Sequence, residues 1–292
     1  MKPINFCKFH GFGNDYVVIE AGELNEISEI GEFTKKFCNR HTGVGSDGIA
    51  ILEKLAGDTA DFSCRIINPD GSEAGFSGNG TRCAVAYAFY KNLWSDENLR
   101  LRTKSGVKNY RLTEKISAGS YWFDAEIGKP EFGLPVKAND AEAAGINNLE
   151  PAKFSSFIIP REGLVVKFVA VDVGNPVACV FVEDFGELDW RRIGRLMESN
   201  ISLFPEKTNV VFVKVLDREN VEIRIWERGA GETSSSGTCS IAAAVAAHYT
   251  EKTGRKVSVR AEGGTTEAVW REDGEMMITG RADLVFCGEY FV

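Results

Sequence analysis

Short apolar runs, rich in β-branched and aromatic residues and broken by polar or glycine positions, dominate this chain. The segments DYVVIE, GIAILEK, DFSCRIIN, SYWFDAEI, LVVKFVAVDVG, VACVFVE, TNVVFVKVLD, VEIRIWER, KVSVRAEG, EAVWRED and EMMITGRAD all read as strands. Asp-Gly pairs at 70–71 and 273–274 supply turns that bound some of them. Helical periodicity is rarer. It appears in EISEIGEFTKKFCN and LDWRRIGRLMESN, and in the alanine-rich runs RCAVAYAFYKNL and CSIAAAVAAHYTEKTG.

The helical segments come in pairs because the sequence repeats. FSGNGTRC and SSSGTC align without a gap at a spacing of 159 residues, which sets Ser77 on Ser236, Gly78 on Gly237, Ala84 on Ala243 and Tyr90 on Tyr249. Upstream, Arg65 falls on Arg224 and Glu73 on Glu232 at the same spacing, and Gly13-Asn14 falls on Gly174-Asn175 at 161. A period near half the chain predicts two similar domains rather than a solenoid. The fold class expected is α/β (α+β): two pseudo-symmetric domains, each a mostly antiparallel sheet wrapped around one small-residue helix. The stretch KPEFGLPVKANDAEAAGINNLEPAKFSSFIIPREGL holds four of the eight prolines and loses the strand alternation. The expected division is therefore 1–135, a linker over 136–163, and 164–292, with a return of the last strand to the first domain left open.

With 292 residues, 43% of them hydrophobic and 26% charged, the chain has ample material for two cores. A formal charge of −8 without a strongly basic run argues against nucleic acid and makes small molecules the expected partners; which small molecule, an amino acid or dicarboxylate, is what the family resemblance below implies. No run approaches the roughly 20 apolar residues of a membrane helix, and no signal-peptide pattern opens the chain, so the expectation is a cytoplasmic protein. The seven cysteines form no CxxC pair, which makes reduced thiols the simplest account. Three histidines without HxxxH or HExxH spacing predict no metal.

A glycine-rich turn opening into a helix presents backbone N–H groups at the positive end of the helix dipole, where an anion can bind. Asn79, Gly80, Gly237 and Thr238 are the donors expected. Capping is the structural role that competes for Ser77 and Ser236, since serine is a favoured N-cap. Polar residues precede each motif at the end of a strand: Asn68, Asp70 and Glu73 before the first, Glu227, Arg228 and Glu232 before the second. Arg228 could clamp a carboxylate or form a surface ion pair. Asn14 and Asn175, each after glycine, could cap turns or bind ligand.

Over nearly its whole length the chain resembles the diaminopimelate epimerase family. KFHGFGNDYVVIE, NRHTGVGSDGI, INPDGSEAGFSGNGTRCA, VGNP, TNVVFV, WERGAGET, the SGT turn and VFCGEYF carry the resemblance in order. It implies two pseudo-symmetric domains, each a curved sheet around a central helix, an active site between them, a homodimer, and inversion of an amino-acid α-carbon without pyridoxal phosphate or another cofactor. The family uses a thiolate to remove the α-proton and a second thiol to return one. This chain departs from that pattern, because Ser77 and Ser236 stand where the two cysteines are expected and Val177 stands where a histidine assists one of them. Glu227, the partner of the other thiol, is kept. The groups that hold the substrate map onto Asn14, Asn68, Asn175, Asn209, Glu227 and Arg228, and the helix starts onto Gly78, Asn79, Gly80, Gly237 and Thr238. Cys239 lies about one helical turn beyond Ser236, and Cys83 has a packing role.

Three readings stay open. The first is an isomerase-type enzyme whose chemistry has shifted from two-thiol epimerisation, with Ser77, Ser236 and Glu227 as acid, base or orienting groups. The second is a catalytically silent homologue that binds a diaminopimelate-like ligand. The third is diaminopimelate epimerase of lysine biosynthesis itself.

Overall fold

The alanine-rich runs become two thirteen-residue helices that are buried from Gly78 to Ala88 and from Gly237 to Ala247. Only side chains as small as these let a sheet close around a helix from several sides. The computed structural model describes residues 3–57, 59–133, 153–159 and 163–292. It divides into one unit of Met1–Ile127 with Thr279–Val292 and a second unit of Gly128–Ile278.

In the first unit, β1 (Ile4–Gly11) turns into β2 (Asn14–Glu20), and the amphipathic helix α1 (Ile30–Phe37) packs Phe33 and Phe37 inward. Then follow β3 (Ile49–Lys54), β4 (Phe62–Ile67), β5 (Glu73–Ala74), α2 (Gly78–Tyr90), β6 (Asn98–Thr103), β7 (Gly106–Ser117) and β8 (Ser120–Gly128). β2 lies antiparallel to β1 and parallel to β3, β3 is antiparallel to β4, and β4 is antiparallel to β5 and parallel to β6. α2 packs on β1, β2, β3, β4 and β6.

The second unit repeats this order. Two short strands, β9 (Glu131–Phe132) and β10 (Ser155–Ile158), both pair with β11 (Val165–Asp172), which turns into β12 (Pro176–Phe181). α3 (Trp190–Glu198) follows, burying Trp190, Ile193, Gly194 and Met197 at helical spacing. β13 (Asn209–Val215), β14 (Asn220–Glu227), β15 (Gly231–Thr233), α4 (Gly237–Tyr249), β16 (Lys256–Ala261) and β17 (Gly264–Trp270) complete the unit. β12 is antiparallel to β11 and parallel to β13, β13 is antiparallel to β14, and β14 is antiparallel to β15 and parallel to β16. The pairing pattern of the first unit is reproduced strand for strand.

Seven described strands escape the sequence pattern: β1, β6 and β7, and the short β5, β9, β10 and β15. β1, β6 and β7 interleave Lys or Arg with apolar residues, which lowers their β-propensity, and Lys108 of β7 is itself buried. The closing strand β18 (Met276–Tyr290) runs on past the expected EMMITGRAD, and within the first unit it pairs along β1 from Tyr290 opposite Ile4 to Asp283 opposite His10. That register brings Cys7 opposite Cys287, and the two form a disulfide. The expectation of seven reduced thiols is corrected here, because a pair 280 residues apart is invisible to local cysteine spacing. Cys38, Cys64, Cys83, Cys179 and Cys239 are free and buried. Of the expected linker, residues 136–152 and 160–162 fall outside the described residues, whereas β10 shows that 155–158 is strand. Among the described residues no helix is long and apolar enough to cross a membrane.

Candidate active site

Both motif serines cap their helices. Ser77 is extended (φ −138°, ψ 118°) and its Oγ accepts the N–H of Gly80 at 3.1 Å; Ser236 (φ −148°, ψ 122°) accepts the N–H of Cys239 at 3.4 Å. Gly80, expected to offer its N–H to a ligand, thus has that N–H engaged by Ser77, because the cap geometry reaches the third helical residue. The two hydroxyls differ in their second contact. Ser77 donates to the Tyr16 hydroxyl at 3.0 Å, while Ser236 meets the Thr238 hydroxyl at 3.2 Å.

In the first unit Asn14 and Asn79 belong to one buried polar chain. Arg82 Nη1 donates to Asn79 Oδ1 at 2.8 Å, Asn79 Nδ2 to Asn14 Oδ1 at 3.1 Å, and Asn14 Nδ2 to Asp47 Oδ2 at 2.8 Å. Arg40 then bridges Asp47 and Asp15, and Lys8 pairs with Asp15 at 2.6 Å. Burial pushes the Asp15 carboxyl up, but the hydrogen bonds and charges of Arg40 and Lys8 outweigh it and hold it at about 2. Asp47 moves the other way, raised by burial and by the negative charge of Asp15. Arg82 is 1% exposed, and its Nε and Nη2 meet no acceptor among the described residues. Glycine makes room for it: a Cβ at Gly280 would lie 2.5 Å from its Cζ, and one at Gly11 would lie 2.9 Å from Asn79 Oδ1. Asn68 lies in the turn after β4, where its Nδ2 donates to Ser72 Oγ at 3.0 Å, and Glu73 pairs with Arg65.

The second unit gathers Asn175, Asn209 and Arg228. The Arg228 backbone N–H donates to Asn209 Oδ1 at 2.8 Å, its Nη2 to Asn175 Oδ1 at 3.0 Å and its Nη1 to the Glu206 carbonyl at 2.8 Å. The guanidinium therefore rests on neutral oxygens and makes no ion pair among the described residues. The surface ion pair weighed for Arg228 belongs instead to Arg191, which grips Glu232 with two hydrogen bonds of 2.7 and 2.6 Å. Asn209 is 2% exposed, and its Nδ2 is buried without a partner among the described residues.

Glu227 ends β14, and its charge is felt by the Cys239 thiol, which burial and Glu227 together raise well above the ordinary thiol range. Burial likewise pushes Cys83 up to about 12. Neither thiol is a ready thiolate at neutral pH. Val177 is buried in β12, opposite Val171 and Asn209. Tyr16, Arg40, Asp47 and Arg82 escaped the sequence reading. They lie inside GNDYVVIE, NRHTGVGSDG and GNGTRC, which were read for strand or helix pattern, for glycine and asparagine, and for family likeness, without a role for these four side chains.

A duplicated sheet around a small-residue helix is a two-domain epimerase-like fold. The profile described as diaminopimelate epimerase matches residues 6–131 and 169–285, and the chain belongs to that family. The diaminopimelate epimerase of Phocaeicola vulgatus is 37% identical over 287 residues, covering 98% of each chain. That of Caldanaerobacter subterraneus is 36% identical over 294 residues, covering 98% of this chain and 99% of its own. Among solved structures, a probable proline racemase of Agrobacterium radiobacter superimposes with a TM-score of 0.73 at 15% identity, covering 99% of this chain and 93% of its own. A phenazine biosynthesis protein of Bacillus anthracis gives 0.70 at 18% identity over the whole of both chains. At such identities these two likenesses establish the fold.

Proposed function

We propose that this protein binds diaminopimelate or a close dicarboxylic amino acid, and acts on it as an isomerase-type enzyme whose α-carbon chemistry has shifted away from two-thiol epimerisation. The observation that carries this reading is the Arg228–Asn209 pair. A guanidinium held only by neutral oxygens, beside a buried carboxamide N–H without an acceptor, is a site one carboxylate short of satisfaction. Asn175 fixes the guanidinium, so the clamp is set before ligand arrives. Within each unit, the first-turn N–H groups of its own buried helix, α2 or α4, offer positive potential that suits a carboxylate. The names of the relatives that span almost the whole chain support diaminopimelate and lysine synthesis as the setting.

In the first unit Ser77 is the group proposed for proton transfer, with Asn14, Asn68, Gly78 and Asn79 as ligand-binding groups; in the second, Ser236 and Glu227 are proposed for proton transfer, with Asn175, Gly237 and Thr238 as ligand-binding groups. Gly80 serves by its close approach to Tyr16 rather than by its N–H. A hydroxyl is a far weaker acid than a thiol and needs a base beside it to move a proton. The silent-binder reading draws support from Ser236, whose hydroxyl has only Thr238, the Cys239 N–H and the raised Cys239 thiol for company.

Calorimetric titration with LL- and meso-diaminopimelate, followed by NMR of the bound ligand in D2O, tests the proposal. Binding with α-deuterium incorporation or a new product is expected. Absence of binding to either isomer would sink it, and binding without any chemistry would leave the silent homologue.

A further inference from the structure

We propose that Tyr16 is the proton-relay and positioning partner of Ser77, so that the first unit alone carries a working proton-transfer pair; this rests on the ligand reading above. The Ser77 hydroxyl donates to the Tyr16 oxygen at 3.0 Å. The ring is held in a slot that only glycine permits: a Cβ at Gly48 would lie 2.8 Å from Tyr16 Cε1, and one at Gly80 would lie 2.9 Å from the same atom. Tyr16 is 6% exposed, so its hydroxyl is fixed on Ser77 by packing as well as by the hydrogen bond. Phenol is the most acidic neutral hydroxyl among the side chains, with an ordinary value of about 10. Its phenolate is therefore the hydroxyl-derived base that forms at the lowest pH, and that phenolate is the acceptor of the serine proton.

The internal repeat shows why this pair has no twin. At the spacing that sets Asn14 on Asn175, Tyr16 falls on Val177, a buried apolar residue, and Ser236 is left with the Thr238 hydroxyl. The two half-sites are chemically unequal.

The step balances as follows. The α-C–H bond of the bound amino acid breaks and its electron pair stays on carbon, delocalised into the carboxylate. The proton passes to Ser77 Oγ while the proton Ser77 held passes to the Tyr16 phenolate, leaving neutral phenol. Reversal returns a proton, or in D2O a deuteron, to the same face. The step moves negative charge from the phenolate onto the bound amino acid, and the Ser77–Tyr16 pair ends neutral.

The titratable groups on the elements around Tyr16 are Lys8 and His10 of β1, Asp15 of its own strand, Asp47 before β3, Cys64 of β4, and Arg82 and Cys83 of α2. Asp15 and Asp47 are bridged by Arg40, with Lys8 on Asp15. Burial keeps both thiols neutral.

The test is α-H/D exchange of LL-diaminopimelate at saturating ligand, followed by NMR from pH 7 to 9.5. Expected is exchange with retention of configuration that climbs about tenfold per pH unit and falls at least 100-fold in Tyr16→Phe. If that variant does not fold, Ser77→Cys gives the second readout. Its thiol has an ordinary value of about 8.5 against about 10 for a phenol, so exchange should speed up and level off within the measured range while the wild type is still climbing. Binding without exchange in the wild type, a pH-independent rate, or an undiminished rate in Tyr16→Phe would overturn the relay and leave the binding reading standing. No binding at all would instead remove the reading on which the relay rests.

Discussion

Asn209 accepts the backbone N–H of Arg228 through Oδ1 at 2.8 Å and keeps a buried Nδ2 with no acceptor among the described residues. One bond fixes which way the carboxamide faces, and the other end waits. Asn209→Ala should therefore weaken diaminopimelate binding by about 10- to 100-fold, the range for losing one hydrogen bond to a charged group. The thermal shift given by saturating ligand should shrink in the same variant.

The Asp15 carboxylate, held at about 2 against an ordinary 3.8, is a group whose folded-state value is depressed. Its contribution is fully present above about pH 4 and is lost as pH falls from about 4 to 2. Asp47 has the opposite sign, since its raised value means that protonation relieves the folded state. Urea unfolding should show stability declining below pH 4. Asp15→Asn should cost about 2 kcal/mol at pH 7 and flatten that acid limb.

Gly280 leaves no room for a side chain beside Arg82. Gly280→Ala should destabilise the protein by about 1–3 kcal/mol through overpacking. In an Arg82→Met background, where the branched guanidinium is gone, the same substitution should cost less, and a double-mutant cycle of urea midpoints measures the difference.

The Cys7–Cys287 bond predicts a thiol count. Protein denatured without reductant should titrate five thiols, and seven after reduction. Cys7→Ser should lower stability by about 2–5 kcal/mol, the range for losing a native bridge.

Most of the fold was legible because both halves write the same alternation twice, and the Ser-Gly turns marked both helix starts to the residue. What escaped was long-range or charged. β1 and the end of β18 are strands because they pair with each other across the length of the chain, and no local window contains both. Asn14, Asn79, Asn175 and Arg228 were legible as polar residues after glycine or a strand end, and Asn209 only through the family resemblance. That Asn14 and Asn79 are tied to Arg82 and Asp47, while Asn209 keeps a donor to spare, depends on partners that only folding brings together. Tyr16 read as a strand residue because its hydroxyl gains meaning only once Ser77 stands opposite.

The account rests most directly on the carboxylate clamp, and calorimetric titration of the wild type and Arg228→Met with meso-diaminopimelate tests it. The wild type should bind and Arg228→Met should bind about 10- to 100-fold more weakly, as expected for loss of a charge-assisted pair. Equal affinity in the two proteins, or no binding in the wild type, would contradict the account.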